Sequence, residues 1–166
     1  MRFNTALIVC LCSILIGCKS RKITDMPKSE DYSIIFQGLL DDGGVIELPV
    51  GRFPVSKSLS LRKEGTIFKG QGMGKTEIVF APGEWLEIFS NEVVVSSIHF
   101  SGTYLDDSAE QHSVHVRGPY RNVLIEKVKV SNGDDTGIRI GYALRQGKRA
   151  PANNCIVRDC VIDGIH

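Results

Sequence analysis

The stretch Asn122–Ser131, NVLIEKVKVS, decides the fold. Val123, Ile125, Val128 and Val130 are apolar, and Leu124, Glu126, Lys127 and Lys129 stand between them. Alternation at period two reads as strand, so the stretch is two short strands joined by a two-residue corner. The same spacing returns at Asn154–Asp163, NCIVRDCVID, with Cys155, Val157, Cys160 and Ile162 in the apolar slots. It also occurs earlier, at Val93, Val95, Ile98 and Phe100. Ile125 lies 30 residues after Val95 and 32 before Val157. Recurrence at periods of roughly 20–50 residues marks a solenoid, a propeller or an array.

Helical repeats need apolar spacing of three and four, and here the spacing is two. A third strand fits into each repeat: Leu86-Glu87-Ile88, Val114-His115-Val116 and Ile138-Arg139-Ile140, each apolar-polar-apolar. Three short strands per coil, with inward side chains stacked on the matching slots of the next coil, describe an all-β chain, a parallel β-helix. The repeat implies about four to five coils.

The 166 residues are 42% hydrophobic and 23% charged, which suits one domain. Residues 1–17 read as an export signal. Arg2 precedes an apolar run from Ala6 to Ile16, well short of the ~20 residues that a bilayer span needs. Leu15-Ile16-Gly17-Cys18 resembles the bacterial lipoprotein lipobox, which implies that Cys18 is lipidated and becomes the mature N-terminus. The alternative is an ordinary secretory signal ending near a chance cysteine. The lipobox places the chain in the cell envelope, anchored to a bacterial membrane and facing the periplasm or the outside. Residues 18–28 are polar and unpatterned and read as a tether.

Loss of Arg2 with the signal lowers Lys+Arg from 20 to 19, against 19 Asp+Glu. The mature chain is near neutrality, so no attraction to nucleic acid is implied. Cys155 and Cys160 remain in the folded part and fall in inward slots, as stacked core thiols or, across a corner, a disulfide. Residues 29–42 are the one helical stretch. Tyr32, Ile35, Phe36, Leu39 and Leu40 follow helical spacing, Gly43-Gly44 ends it, and the segment suits a lid over the first coil of the β-helix at 43–166.

Leu48-Pro49-Val50-Gly51-Arg52-Phe53, Leu59-Ser60-Leu61, Gly70-Gln71-Gly72 and Thr76-Glu77-Ile78 follow one another as the opening coils. With them the chain from about Gly43 onward resembles the pectate-lyase-like β-helix superfamily. That resemblance implies a right-handed, single-stranded parallel β-helix. It does not choose a chemistry, because the superfamily hosts lyases, hydrolases, epimerases, phage tailspikes and non-catalytic surface proteins. Gly70–Thr76, GQGMGKT, looks like a phosphate loop, but Lys69 stands where the motif needs its first glycine and no helix pattern follows. It reads as a corner between coils.

Three groups of residues are candidates for chemistry. The first is the outward column Glu87, His115, Arg139 and His166, an acid, an imidazole, a cation and a second imidazole on rungs ~4.8 Å apart. This face carries the active site in many members of the superfamily that the chain resembles; the plainer reading is the polar outside of any soluble solenoid. The second is acidic: Asp106-Asp107 and, one coil later, Asp134-Asp135. Two acid pairs near one corner suit Ca²⁺, or a general acid and base for glycoside hydrolysis. Gly133-Asp134-Asp135 resembles the Gly-Asp-Asp element of polygalacturonases. The chain departs from that family where Gln111-His112-Ser113 replaces Asn-Thr-Asp, and it has no Gly-His-Gly. Asn132-Gly133-Asp134-Asp135 is also good turn chemistry.

The third group is loop 141–153, with Arg145, Lys148 and Arg149 beside Arg117 and Arg121 of the equivalent loop one coil earlier. A basic rim suits a polyanionic sugar chain, because arginine pairs carboxylates through two N–H groups; a solvated charged loop is the alternative. In lyases of the superfamily, Ca²⁺ acidifies a uronate proton and a cationic side chain removes it, a role that falls here to Arg139. His166 lies in mid-strand, which predicts further coils or a covering chain, as in a homo-oligomer. The reading is a surface-anchored lyase or hydrolase for uronic-acid polysaccharides. The alternatives are a non-catalytic carbohydrate-binding or adhesive lipoprotein and an inactive fragment.

Overall fold

The computed structural model describes residues 20–24, 26–103, 112–133, 136–141, 143–145 and 148–165. The chain opens with strand β1 (Ser20–Lys22) and helix α1 (Ser33–Asp42). It then visits three sheets in strict rotation. The first circuit is β2 (Val45–Glu47), β3 (Gly51–Val55) and β4 (Leu59–Leu61). The second is β5 (Ile67–Lys69), β6 (Thr76–Phe80) and β7 (Leu86–Ile88), and the third is β8 (Val94–Ser96), β9 (His99–Ser101) and β10 (His112–Val116). The fourth is β11 (Leu124–Glu126), β12 (Lys129–Ser131) and β13 (Thr136–Ile140). A hairpin of β14 (Ala143–Arg145) and β15 (Lys148–Ala150) follows, then β16 (Ile156–Arg158) and β17 (Val161–Asp163).

Sheet A runs β1-β2-β5-β8-β11-β16, sheet B runs β3-β6-β9-β12-β17 and sheet C runs β4-β7-β10-β13. All pairing within them is parallel. Three all-parallel sheets with one short helix on the N-terminal side are compatible with a parallel β-helix.

Register explains the alternation. Ile46, Phe68, Val95, Ile125 and Val157 stand in one column of sheet A. Phe53, Ile78, Phe100, Val130 and Ile162 form the matching column of sheet B. The first four members of each column are buried and share one core cluster with Leu59, Leu61, Leu86, Ile88, Val114 and Val116 of sheet C. Full burial of such a side chain contributes about 1.5–3 kcal/mol. Phe80 and Phe100 stack between rungs with ring centroids 6.0 Å apart.

The fifth members depart from the expected burial. Val157 and Ile162 keep the inward register but are 40% and 54% exposed, because they have a neighbouring rung on one side only. Cys155 and Cys160, expected as core thiols or a disulfide, are free and half-buried at the margin of the core for the same reason.

The corner between sheets C and A recurs with a positive φ. Gly65, Glu92, Asn122 and Asn154 each stand two residues before a sheet A strand, and all have φ between 50° and 72°. This left-handed bend costs glycine little and asparagine less than most residues. The last two asparagines also join: Asn154 Nδ2 donates to Asn122 Oδ1 at 2.7 Å. Gly70, in the phosphate-loop lookalike, sits at another corner, with its N–H bonded to Ser96 O at 3.0 Å.

The N-terminal edge is closed. Phe36 of α1 packs edge-on against Phe53 and Phe68, at 5.5 and 6.4 Å. Tyr32 N–H donates to Pro54 O, and the Ser33 hydroxyl accepts from Ser56 and Lys57 N–H. Helix α1 is shorter than the 29–42 segment expected: Asp31, ahead of its first residue Ser33, is spent on accepting from Ser56 N–H at the β3 end. The 18–28 segment is more than a tether. Its residues 20–22 form β1 alongside β2, and Ile23 and Met26 pack against the core. No apolar alternation marks β1, which is held by main-chain pairing with β2 and by the Arg21–Asp42 ion pair at 2.6 Å. Among the described residues no helix is long and apolar enough to cross a membrane.

Candidate functional site

Sheet C stacks Ser60, Glu87, His115 and Arg139 in one outward column. The next outward positions, two residues on, are Arg62, Phe89, Arg117 and Gly141. Ladder bonds from Phe89 N–H to Leu61 O, Arg117 N–H to Ile88 O and Gly141 N–H to Val116 O hold these in step. Two adjacent columns of polar and aromatic groups therefore share one face.

Their contacts differ from a plain acid–imidazole–cation row. Glu87 is held by Arg117 of the neighbouring column: Nε donates to Oε1 at 2.9 Å, and a second guanidinium N–H reaches the same oxygen. His115, expected on the outside as an acid or base, is 1% exposed. Its Nε2 lies 3.2 Å from Gly141 O, so the chain leaving β13 roofs the ring. Arg139 is half-buried one rung along from His115.

Gly141 opens the 141–153 insertion. The insertion folds into the antiparallel β14–β15 hairpin, whose register pairs Arg145 with Lys148 and Leu144 with Arg149. This sets the backbone positions of three cations at one hairpin. The insertion then zips onto the 117–122 corner: Arg121 bridges Asn153, Asn122 N–H donates to Asn153 O, and Asn153 N–H donates to Tyr120 O. At Gly118 the approach is so close that a Cβ would stand 1.6 Å from Ala150 O.

Phe89 is the centre of the face. Arg62 lies over its ring at 4.3 Å and Arg117 at 5.9 Å, within cation–π range. Tyr120 meets the ring edge-on at 6.4 Å. The ring orients Arg62 without using its N–H donors, and among the described residues no carboxylate pairs with this exposed arginine. Arg62, Phe89 and Tyr120 are not among the sequence candidates. Continuing the alternation one step past Leu61 and Ile88 finds the first two; Tyr120 needs the corner geometry.

Asp106, Asp107, Asp134, Asp135 and His166 lie outside the described residues. Among the described residues no three His, Cys, Asp or Glu side chains gather in a way that would hold a metal ion. Comparison with protein-family models, with curated proteins and with solved structures gives no match.

Proposed function

We propose that this chain is a right-handed parallel β-helix of the pectate-lyase-like kind that binds an anionic, uronic-acid-containing polysaccharide at the cell envelope, anchored by lipid at Cys18. The observation that carries the reading is Arg62 held over Phe89 with Arg117 on the same ring. A guanidinium fixed by a ring keeps its paired N–H groups for a carboxylate, and rungs ~4.8 Å apart repeat along an extended glycan. The β14–β15 hairpin carries three further cations in its sequence, Arg145, Lys148 and Arg149.

Binding is favoured over cleavage because Glu87 is engaged by Arg117 and His115 is roofed by Gly141. The lyase reading rests on Arg139 as the base, with Ca²⁺ held by Asp106, Asp107, Asp134 and Asp135; the hydrolase reading rests on Asp134 and Asp135 as acid and base. Calorimetric titration with oligogalacturonate and with a neutral galactan separates the readings. The expected result is binding of the acidic oligomer alone, weakened about tenfold by Arg62→Ala, which is ~1.4 kcal/mol. Equal binding of both sugars, or none, overturns the assignment. New absorbance from unsaturated uronates on adding Ca²⁺, lost in Arg139→Ala, would establish a lyase. Cys18→Ser is expected to move the protein from the membrane fraction to the soluble one.

A further inference from the structure

Sheet B carries a second polar cluster. Arg52, Glu77, His99 and Lys129 align across β3, β6, β9 and β12. The adjacent column holds Val79, Ser101, Ser131 and Asp163. His99 joins the two columns. Its Nε2 lies 2.7 Å from Ser131 Oγ, and its Nδ1 lies 3.8 Å from Glu77 Oε1. Glu77 Oε2 is held in turn by Arg52 Nε at 3.2 Å. A hydroxyl, an imidazole and a carboxylate thus stand in the order that activates a serine.

We propose that Ser131, His99 and Glu77 form a serine-hydrolase relay acting on small acyl esters. Glu77 Oε1, 3.8 Å from Nδ1, is at ion-pair and not hydrogen-bond distance; its charge on that side favours the proton on Nδ1, which leaves the Nε2 lone pair for the Ser131 hydroxyl proton. Burial holds the His99 pKa below its ordinary 6.5; Lys129 acts the same way and Glu77 opposes it. The ring is therefore a neutral base near pH 7. Asn132, next to Ser131, reaches the cluster with a side-chain amide whose bond to Ser101 Oγ is long, 3.4 Å, and which is the donor available to an oxyanion. An open groove of about 200 Å³ at Val79, two rungs from Ser131, is lined by Glu30, Pro54, Ser56, Phe80 and Thr103 and not by the relay residues themselves. It suits a hydrocarbon chain that extends about 10 Å beyond the ester.

In the first half-reaction Ser131 Oγ bonds to the carbonyl carbon while its proton passes to His99. The ester C–O bond breaks, and the alcohol leaves with that proton. In the second, water loses a proton to His99 and attacks the acyl-serine carbonyl. The carboxylic acid departs and Ser131 regains its proton. O-acetyl groups on a polysaccharide are the substrate class if the sheet C reading holds; the relay itself does not depend on that reading.

The test is hydrolysis of p-nitrophenyl acetate by the full chain, with peptide mapping after treatment with a fluorophosphonate. The expected adduct is on Ser131. Ser131→Ala is expected to abolish adduct and turnover, and His99→Gln to lower kcat by about 10²- to 10⁴-fold. Glu77→Gln, a positioning change, is expected to lower kcat with KM unchanged and to shift the acid limb of the pH profile. Arg52, Lys129 and Asp163 are the other charged groups whose titration or substitution moves that limb. An unlabelled Ser131 in the wild-type chain, or turnover unchanged in Ser131→Ala, overturns the proposal. The adduct map needs no variant to fold. Oligogalacturonate binding in the same preparation tests sheet C separately.

Discussion

The side-chain amide of Gln37 hydrogen-bonds both main-chain groups of Ser60, Nε2 to O and Oε1 to N–H, each at 2.9 Å. A glutamine on α1 thereby imitates the strand that β4 lacks on its outer side. Unpaired edges are templates for association, and this cap removes one. Replacing Gln37 by Ala leaves a donor and an acceptor of the edge strand without their partner. The expected loss is about 1–3 kcal/mol in denaturant unfolding, with faster aggregation on warming.

The two arginines around Phe89 do different work. Arg117 is bonded to a half-buried carboxylate, so Arg117→Ala is expected to lower stability by about 1 kcal/mol and to weaken glycan binding. Arg62 is exposed and held only by the ring, so Arg62→Ala is expected to change stability by less than about 0.5 kcal/mol while weakening binding. Unfolding and titration on the two variants give the contrast. Equal stability losses would refute the division.

Gly118 admits no side chain, because Ala150 O occupies the place of a Cβ. Gly118→Ala is expected to push the β14–β15 hairpin off the 117–122 corner. Limited proteolysis should then cut within 141–153 before the strands of the three sheets. A variant as resistant as the parent would contradict this packing.

Asp31 makes stability depend on acid. Its carboxylate accepts from the Ser33 and Ser56 hydroxyls and from both their N–H groups, which hold its pKa well below the ordinary 3.8, the Ser33 hydroxyl contributing most. A depressed folded-state pKa means that the unfolded chain takes up the proton first. The stabilisation is complete above about pH 4 and is lost as pH falls below that value. Asp31→Asn is expected to lower the Tm at pH 7 and to narrow the difference in Tm between pH 7 and pH 3.

Much of this organisation is legible in the sequence. Parallel rungs in register convert spacing into columns, so the alternation around Ile125 places Glu87, His115 and Arg139 on one face without further information. What the spacing does not contain is the path of an insertion. His115 is covered because the chain leaving β13 brings Gly141 O over its ring, and that depends on where the strand one rung along ends, not on the neighbours of His115 in the chain. Strand β1 is silent for another reason: three polar residues at a sheet edge, paired with β2 through their main chain, carry no periodic mark. The His99–Ser131 contact joins residues 32 apart on adjacent rungs, and it becomes visible once Phe100 and Val130 are aligned.

The positive-φ corner at Gly65, Glu92, Asn122 and Asn154 has a consequence for how such a chain can change. Twenty-seven residues separate the first two members and thirty-two the last two, yet each leads into the next sheet A strand. The corner works as a reset. Length gained in one lap, as in the 141–153 excursion, is cancelled before the next strand begins, so surface loops can be spliced in or trimmed without misaligning the interior.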